Sequence, residues 1–424
     1  MNSVPDTARR ARRRLFEAAF RASGFVALAL AGGTLLLLIG GVLALGLSAF
    51  ARYEVKLDIA LAPATLGVEA GAPPAALRTA DFRSAIRQGL LDIFPDERST
   101  DRVRSLQSLI SPGAEFKLSR RLSKDPALLG QTLTVYAPVS DIAEMYFKGR
   151  VSRAEPADRR ILTNQQMDWL DALRAGHRIR KSLNVAFLKN GDSSYPELAG
   201  VAAGVAGSAI AVGLAILIAA PLGVATAVFL EEFAPKNRIT DILEININNL
   251  AAVPSIVFGL LGLTAFIIFF GLPRSAPLVG GLVLALMTLP TIIIATRSSL
   301  RSLPKSLKEG ALALGASHLD VVFNPLLPAA APGIITGVII GFAQALGETA
   351  PLLLIGMVAF VATPPTSALD PSSALPVLIY LWAESPERAF VEKTAGAVIV
   401  LLTLLVLLNG AAAYARRRFD PYRR

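Results

Sequence analysis

Long apolar runs alternate with charged segments along the chain, and each run has the length of a membrane-spanning helix. Stretches without Asp, Glu, Lys or Arg cover 22–51, 198–230, 245–273, 275–296, 321–347 and 394–415. A helix needs roughly 20 apolar residues to cross a bilayer, where it satisfies its own backbone hydrogen bonds. The pattern therefore predicts an all-α, multi-pass membrane protein with six transmembrane helices.

The segment between the first two runs, 52–197, is charged and mixed in composition. Apolar residues recur at helical spacing from Phe82 and from Val103, Thr132–Tyr136 alternates as a strand does, and Thr163–Leu173 has the pattern of a capped helix. These features predict an α+β domain inserted after the first span. The segment contains no recognisable catalytic or ligand-binding constellation.

The distribution of charge predicts the orientation. The 424-residue chain is 53% hydrophobic and has a formal net charge of +10. With the N-terminus in the cytoplasm, the inside segments 1–21, 231–244, 297–320 and 416–424 hold seventeen Lys and Arg, and the short outside loops hold three. Cytoplasmic loops are enriched in positive charge. Both termini are therefore expected in the cytoplasm and 52–197 on the outer side, which is the periplasm if the membrane is a bacterial inner membrane.

The spans and charges together predict the domain organisation. It comprises a basic cytoplasmic tail (1–21), a first transmembrane helix (22–51), a periplasmic α+β domain (52–197), a five-helix transmembrane domain (198–418) and a cytoplasmic tail (419–424). A cleavable signal peptide is the alternative for the first span, since Ala49-Phe50-Ala51 resembles a cleavage site. The uncharged run is longer than the roughly 7–15 residues of a signal-peptide core, which favours a retained anchor.

The residue inventory excludes several kinds of chemistry. The chain has no cysteine, and its two histidines, His177 and His318, have no evident Ser and Asp partners. No Gly-Lys-Ser/Thr phosphate loop occurs, so ATP hydrolysis would have to reside on another chain. We therefore predict no catalytic residues, no cofactor and no metal site. Nucleic acid binding is disfavoured because the basic residues mark the ends of apolar spans.

A polar segment between two apolar runs, Leu303–Pro328, predicts two short helices joined at a glycine, and we call this segment the elbow. Pro304 suits a first helical turn, and Ser306 with Glu309 has the spacing of a capping box. Gly315 is a natural stop after a helix. Ser317 with Asp320 can start the second helix, and Asn324-Pro325 is expected to end it.

The elbow resembles the loop of ABC-importer permeases with the pattern E-A-A-x3-G-x9-I-x-L-P. The matching positions are Glu309, Ala311, Gly315, Leu327 and Pro328. Two positions depart from the pattern: Gly310 replaces the first alanine, and Pro325 replaces an apolar residue. In that family the loop docks on a separate ATPase. The resemblance implies that 303–328, including Gly310, is the coupling loop.

One acidic residue, Glu348, lies deep in the membrane region of the sequence. A carboxylate at that depth is costly unless it is paired or lines a wet cavity. Gln344 lies one helical turn away and Thr349 is adjacent, so the three predict a polar stripe along a solute pathway. The alternative is a carboxylate that caps a helix break at Pro351. Arg297 would suit an anion pathway because guanidinium pairs with phosphate oxygens, or it is an interface arginine that reaches toward water.

Three further segments resemble the PstA family of phosphate-importer permease subunits: Leu230–Ala234, Ala252–Gly259 and Gln344–Leu353. The likeness covers about 198–418, and the preceding segment is similar to the extended N-terminal region of one subgroup. The resemblance implies a type I ABC importer permease core. It also implies import of inorganic phosphate by alternating access.

The same resemblance implies the partners. They would be a homologous PstC-like permease, two PstB-like ATPase subunits at the coupling loop, a PstS-like periplasmic phosphate-binding protein and the lipid bilayer. Alternatives are a permease for sulfate, molybdate or another small solute, and a membrane-anchored periplasmic sensor. The sensor would need a cytoplasmic signalling domain, and an intramembrane enzyme would need a second catalytic group beside Glu348.

Overall fold

The computed structural model describes residues 6–69, 72–154, 156 and 160–418. Its first element is the helix α1, Asp6–Gly46, which a 3-10 turn at Leu47–Phe50 follows. The predicted basic tail is therefore helical from Asp6 onward and continuous with the first span. The reason is local, because strong helix formers fill residues 6–23 and no Gly or Pro interrupts them. The predicted 419–424 tail lies outside the described residues.

A three-stranded antiparallel sheet organises the region after α1. Its strands are β1 Ala51–Ala60, β2 Thr132–Pro138 and β3 Ile179–Leu183, in the order β2-β1-β3. The helices of this region are α2 Pro63–Leu66, α3 Pro74–Arg78, α4 Phe82–Leu91, α5 Thr100–Gln107, α6 Gly113–Lys124, α7 Asp141–Phe147, α8 Asn164–Ala175 and α9 Val185–Lys189.

Alternation along β1 builds the core of this region. Val55, Leu57 and Ile59 are buried, whereas Lys56 and Asp58 between them are exposed. Successive side chains of a strand point to opposite faces, so one face of the sheet packs against helices such as α4. The sequence pattern predicts α4, α5, α8 and β2, but not β1 or β3.

The rest of the chain is helical. Its helices are α10 Ala202–Val228, α11 Arg238–Ala251, α12 Ser255–Gly262, α13 Pro277–Arg301, α14 Lys305–Ala313, α15 His318–Val321, α16 Leu327–Gly347, α17 Ala350–Leu354, α18 Leu375–Ala383 and α19 Ala389–Arg418. Turns of π-helix extend three of them, at Phe229–Phe233, Leu263–Phe269 and Val322–Leu326.

Five helical segments of the described chain are long and apolar enough to cross a membrane. They are Arg12–Phe50, Ala202–Phe233, Pro277–Arg301, His318–Gly347 and Ala389–Ala411. Arg238–Ala251 and Ser255–Phe269 pass the same test together, but they are bent by 100° at the break between them. Pro254 lies at that break as the N-cap of α12. The count therefore rises to six if this bent pair is one span.

Three features of the helices are not indicated by the apolar runs. The segment 231–244 is helical from Arg238, because the side chain of Asn237 caps α11 by accepting from the backbone N–H of Thr240. Pro332, within the apolar run 321–347, lies inside α16. Helices in membranes tolerate such prolines because neighbouring groups satisfy the freed carbonyl. The segment between the last two apolar runs contains α18.

Helix α13 lies at the centre of the membrane helices and packs on α10, α12 and α16. Along the contact with α16, Gly333 lies beside Ser299 and Gly337 beside Ala295, so the two helices run antiparallel. A Cβ at Gly337 would lie 2.4 Å from the Cβ of Ala295. Glycine is therefore required for this close approach, as small residues often are between membrane helices.

Buried charges join the sheet region to the last helix. Lys148, at the end of α7, forms ion pairs with Glu144 at 2.7 Å and with Glu392 of α19 at 2.5 Å. It also donates to the backbone carbonyl of Ser48, just after α1, at 3.0 Å. A single buried charge left without its partner costs about 3–5 kcal/mol. The contacts therefore hold the ends of α1, α7 and α19 together.

Candidate functional site

The first helix of the elbow is α14. It begins at Lys305 with Pro304 as its N-cap, and that cap makes no side-chain hydrogen bond. The predicted capping box of Ser306 and Glu309 is therefore wrong, because Ser306 already lies inside the helix. Glu309 is exposed, and no side chain among the described residues forms an ion pair with it.

Gly315 ends α14 in the predicted way. Its φ of +86° lies in the left-handed region, which glycine adopts without steric cost. The N–H of Gly315 donates to the carbonyl of Leu312 at 2.9 Å, and the N–H of Ala316 donates to that of Ala311 at 3.2 Å. These two bonds define a Schellman motif. They set the angle at which the chain leaves α14.

The second helix of the elbow begins at the predicted cap. Ser317 and Asp320 form a reciprocal capping box at the start of α15. The helix does not end at Pro325, which corrects the prediction. Instead a π-helical turn at Val322–Leu326 contains Pro325 and continues into α16. A π turn accommodates the missing N–H of proline without breaking the helix.

The motif positions at the end of the elbow lie in the first turn of α16. Leu327 is half-buried and Pro328 is exposed. The elbow therefore leads without interruption into a membrane helix. A displacement of α14 and α15 would be transmitted to α16.

The elbow has one packed face and one exposed face. On the packed face, Ala311 and Leu307 lie against the buried Val322 and Leu326. On the other face, apolar side chains are exposed: Leu312, Leu314, Leu319 and Phe323. Leu314 is 91% exposed. An apolar surface on a charged loop is typical of a docking site for another protein.

Ion pairs connect the elbow to the ends of the membrane helices. Lys308 of α14 forms a pair with Glu232 at 2.5 Å. Arg301, at the end of α13, contacts the neighbouring Glu231 at 2.9 Å. Glu231 and Glu232 lie in the π turn that ends the second span. The elbow and the ends of α10 and α13 are therefore tied together by charge.

Arg297 belongs to this cluster of charges. It is 8% exposed and forms ion pairs with Glu231 at 3.4 Å and with Glu244 of α11. A buried arginine with two carboxylate partners is compensated within the protein. It is not an interface arginine that reaches toward water. Its charge is also not free for a solute in this conformation.

The other predicted pathway residues lie elsewhere on the helices. Gln344 is exposed, and its Oε1 accepts a hydrogen bond from Thr291 Oγ1 at 3.4 Å. Glu348 and Thr349 are half-exposed and occupy the break between α16 and α17. No described residue forms an ion pair with Glu348. The predicted break near Pro351 is present, since Pro351 lies in the first turn of α17.

Gln344, Glu348 and Thr349 lie near the end of α16 and in the break that follows it, and Arg297 lies apart from them. Because α13 and α16 are antiparallel, Arg297 and Glu348 lie on opposite sides of the contact between Thr291 and Gln344. Because a helix rises by about 1.5 Å per residue, Arg297 and Glu348 lie roughly 15 Å apart along the helix axes. An arginine at that distance does not compensate the charge of Glu348.

Three acids of the site were not predicted from the sequence: Glu231, Glu232 and Glu244. The signal that could have identified them is their position, since each lies at the end of an apolar run, as do Arg297 and Arg301. Opposite charges at adjacent helix ends often pair. Among the described residues, no group of three or more His, Asp or Glu could hold a metal ion.

Comparisons with known proteins agree with this arrangement. The profile of the family described as "Binding-protein-dependent transport system inner membrane component" matches residues 219–421. A second profile, DUF3333, a domain of unknown function, matches residues 7–157. The predicted extended N-terminal region is therefore a DUF3333 domain.

Relatives with curated names match the C-terminal half. A probable ABC transporter permease, YqgI of Bacillus subtilis (strain 168), is 34% identical, and the match covers 47% of this chain and 72% of the relative. The phosphate transport system permease PstA 1 of Mycobacterium tuberculosis (strain CDC 1551 / Oshkosh) is also 34% identical, with 50% and 68% covered. A probable PstA of Methanocaldococcus jannaschii is 31% identical, with 51% and 75% covered.

Among solved structures, the inward-facing MetNI methionine ABC transporter covers 50% of this chain and 91% of its own, at 20% identity and a TM-score of 0.40. The relatives, in contrast, are more than 30% identical and are matched over more than two thirds of their length. The chain therefore belongs to the family of binding-protein-dependent transport system inner membrane components, the permeases of ABC transporters.

Proposed function

We propose that this chain is the permease subunit of an ATP-driven importer that moves inorganic phosphate across the bacterial inner membrane. The observation that carries the proposal is the elbow, which presents an exposed apolar face and continues directly into a membrane helix. The chain has no phosphate loop of its own, so a separate subunit hydrolyses ATP. Support for phosphate as the substrate comes from the relatives named PstA.

The proposed topology has six spans, with the bent pair α11–α12 counted as one of them. Both termini and the elbow face the cytoplasm, and 52–197 forms an α+β domain in the periplasm. The excess of Lys and Arg in the inside segments supports this orientation. The continuous sheet and helices between α1 and α10 support a separate domain at that position.

The proposed partners follow from the same architecture. Two PstB-like ATPase subunits dock on the elbow of this chain and on that of a homologous PstC-like permease. A PstS-like binding protein delivers phosphate from the periplasm. The exposed Leu312, Leu314, Leu319 and Phe323 would be covered by the ATPase. Burial of such side chains contributes roughly 25 cal/mol per Å² of apolar surface.

The mechanism that we propose is alternating access driven through the elbow. Closure of the ATPase pair displaces α14 and α15, and the Schellman motif at Gly315 keeps their angle fixed. The displacement reaches α10 through Lys308 and Glu232. It reaches α11 and α13 through Arg297 and its two acids. We assign Arg297 to this transmission, and Gln344, Glu348 and Thr349 to the pathway.

Uptake in cells that lack this chain tests the proposal. Labelled phosphate, sulfate and molybdate are supplied in parallel, with and without the restored gene. Restored uptake of phosphate alone is expected. Restored uptake of another anion would support the assignment as a permease but would change the assigned substrate. Unchanged uptake of all three would contradict phosphate import and favour another solute or a periplasmic sensor.

A further inference from the structure

A large cavity lies in the sheet region, away from the membrane helices and the elbow. Its volume is about 760 Å³, within the range of roughly 300–1,000 Å³ that small-molecule sites occupy. Helices α4 and α5 form one wall, the starts of α6 and α7 form another, and the segment before α10 closes it. The transport cycle proposed above does not use this cavity.

The mouth of the cavity is basic. Four exposed arginines line it: Arg83, Arg87, Arg98 and Arg104. Arg83 has only a long contact with Glu115, at 3.7 Å, and Arg104 has one with Asp101, at 3.8 Å. Exposed pairs of this kind contribute about 0–1 kcal/mol. The guanidinium groups can therefore exchange these contacts for an anion.

The floor of the cavity is acidic and contains hydroxyl groups. Ser111, Ser140 and Glu197 are each more than nine-tenths buried, and Asp141 lies beside them. Ser111 Oγ donates to Glu197 Oε1 at 2.7 Å. The second carboxylate oxygen, Glu197 Oε2, and the hydroxyl of Ser140 have no hydrogen-bond partner among the described residues.

Unsatisfied polar atoms at this depth call for an occupant. A buried polar group without a partner costs about 1–3 kcal/mol, so such atoms are rarely left unpaired. Burial also raises the pKa of the Glu197 and Asp141 carboxyls above their ordinary values. When the carboxyl is ionised, contact with a hydrogen-bond donor would satisfy Glu197 Oε2.

We propose that this cavity binds a small molecule that carries an anionic group at one end and an ammonium or hydroxyl donor at the other. The arginines at the mouth hold the anionic end, and Glu197 and Ser140 accept from the donor end. The size of the cavity supports a molecule larger than a single ion. Because Glu197 lies five residues before α10, an occupant contacts the segment that leads into the second span.

Isothermal titration calorimetry on the purified full-length chain in lipid nanodiscs tests the proposal. The two-ended probes are O-phosphoethanolamine and glycerol 3-phosphate, and the one-ended probes are inorganic phosphate and ethanolamine. We expect at least one two-ended probe to bind ten or more times as tightly as either one-ended probe. Failure of both two-ended probes to bind would overturn the proposal, as would equally tight binding of inorganic phosphate.

Variants then locate the site. Arg83→Gln with Arg87→Gln, at the exposed mouth, and Glu197→Gln, at the floor, should each weaken the two-ended probe at least tenfold. Arg120→Gln is the matched control, since Arg120 is exposed on α6 and does not line the cavity.

Unfolding temperatures separate a binding defect from a folding defect. If Glu197→Gln unfolds at a lower temperature than wild type, its weaker binding could reflect the folding defect. The Arg83→Gln, Arg87→Gln double variant then tests the site, because both of its residues are on the surface. Wild-type affinity in that double variant would refute the site. Neither measurement depends on transport, so a failure here leaves phosphate import untouched.

Discussion

At the scale of single residues, the two charged side chains predicted for the pathway have different surroundings. Arg297 is buried and paired with Glu231 and Glu244. Glu348 sits at a break between helices and has no ion-pair partner among the described residues. An acid in a membrane segment is stable only when it is paired or hydrated. Glu348 is therefore the one that we expect to meet water, solute or a partner chain.

Replacing Glu348 tests its place in the pathway. We expect Glu348→Gln to reduce phosphate uptake at least tenfold, because the charge is lost while the shape is kept. Co-purification of the ATPase and of the second permease should be unchanged. Glu387→Gln, in the exposed segment before α19, is the control and should transport normally. Normal uptake by Glu348→Gln would remove this residue from the mechanism.

Glu54 in the sheet region is a buried acid whose charge stabilises the fold. Its side chain is 1% exposed, and Arg52 and Arg180 each lie 2.6 Å away. Burial alone raises the pKa of the Glu54 carboxyl, but the hydrogen bond from Arg180 and the charges of Arg52, Lys117 and Arg180 outweigh it, so the pKa lies below 4.5. The stabilisation is therefore complete above pH 4.5 and is lost as the pH falls through the lowered pKa.

We expect Glu54→Gln to destabilise β1 by about 1.5–3 kcal/mol at neutral pH, the usual range for a hydrogen bond to a charged group. As the pH falls from 4.5 through the lowered pKa of Glu54, the difference from wild type should shrink, because protonation then removes the charge of the wild-type carboxyl as well. Hydrogen exchange of the β1 amides, compared between the two proteins at the same pH, measures this. Asp101→Asn, an exposed acid, is the control. A difference that stays constant with pH would contradict the assignment.

At the scale of elements, the elbow depends on one left-handed residue. Gly315 joins α14 to the next helix at a φ of +86°, whereas proline fixes φ near −65°. The exposed apolar face and the ion pair of Lys308 are useful for coupling only if this angle is kept.

We therefore expect Gly315→Pro to abolish phosphate uptake and to weaken ATPase co-purification. Gly310→Ala is the matched control, since a Cβ there meets nothing within 4 Å and alanine stabilises a helix by about 0.8–1 kcal/mol relative to glycine. That variant also restores the alanine of the family pattern and should transport normally. Wild-type uptake and wild-type ATPase yield with Gly315→Pro would refute the role of the elbow.

At the scale of the whole molecule, the proposed topology separates two surfaces. In that proposal the elbow faces the ATPase in the cytoplasm, and the sheet region faces the periplasm. The buried pair of Lys148 with Glu392 and the contact of α1 with α19 hold the sheet region on the membrane helices. The chain has no cysteine. A single introduced cysteine therefore reports the accessibility of its own position, without labelling of other sites on this chain.

We expect Lys124→Cys in the sheet region and Thr363→Cys before α18 to react with a membrane-impermeant maleimide in intact cells. Ser306→Cys in the elbow should react only after the membrane is permeabilised. All three positions are exposed on the chain, so the membrane alone decides the difference. Labelling of Ser306→Cys from outside would invert the proposed topology.

Local chemistry made a large part of the architecture predictable. Apolar runs of sufficient length identify membrane helices, because a span must satisfy its own backbone. The left-handed Gly315 and the capping box of Ser317 with Asp320 are likewise interactions between near neighbours. Local rules failed at Pro325, where a π turn keeps the helix continuous, and at Ser306, where the preceding proline starts the helix earlier.

The tertiary structure decided whatever depends on distant residues. Arg297 meets Glu231 and Glu244 only because α13 packs beside α10 and α11. Strand β3 is defined by its pairing with β1, and the cavity with Glu197 at its floor is built from segments more than a hundred residues apart. By itself, the sequence determined the long apolar helices and, in the elbow, the turn at Gly315 and the cap at Ser317, because their stabilising contacts lie within a few residues. The partners of charged and buried groups emerged only when the packed helices brought remote segments together.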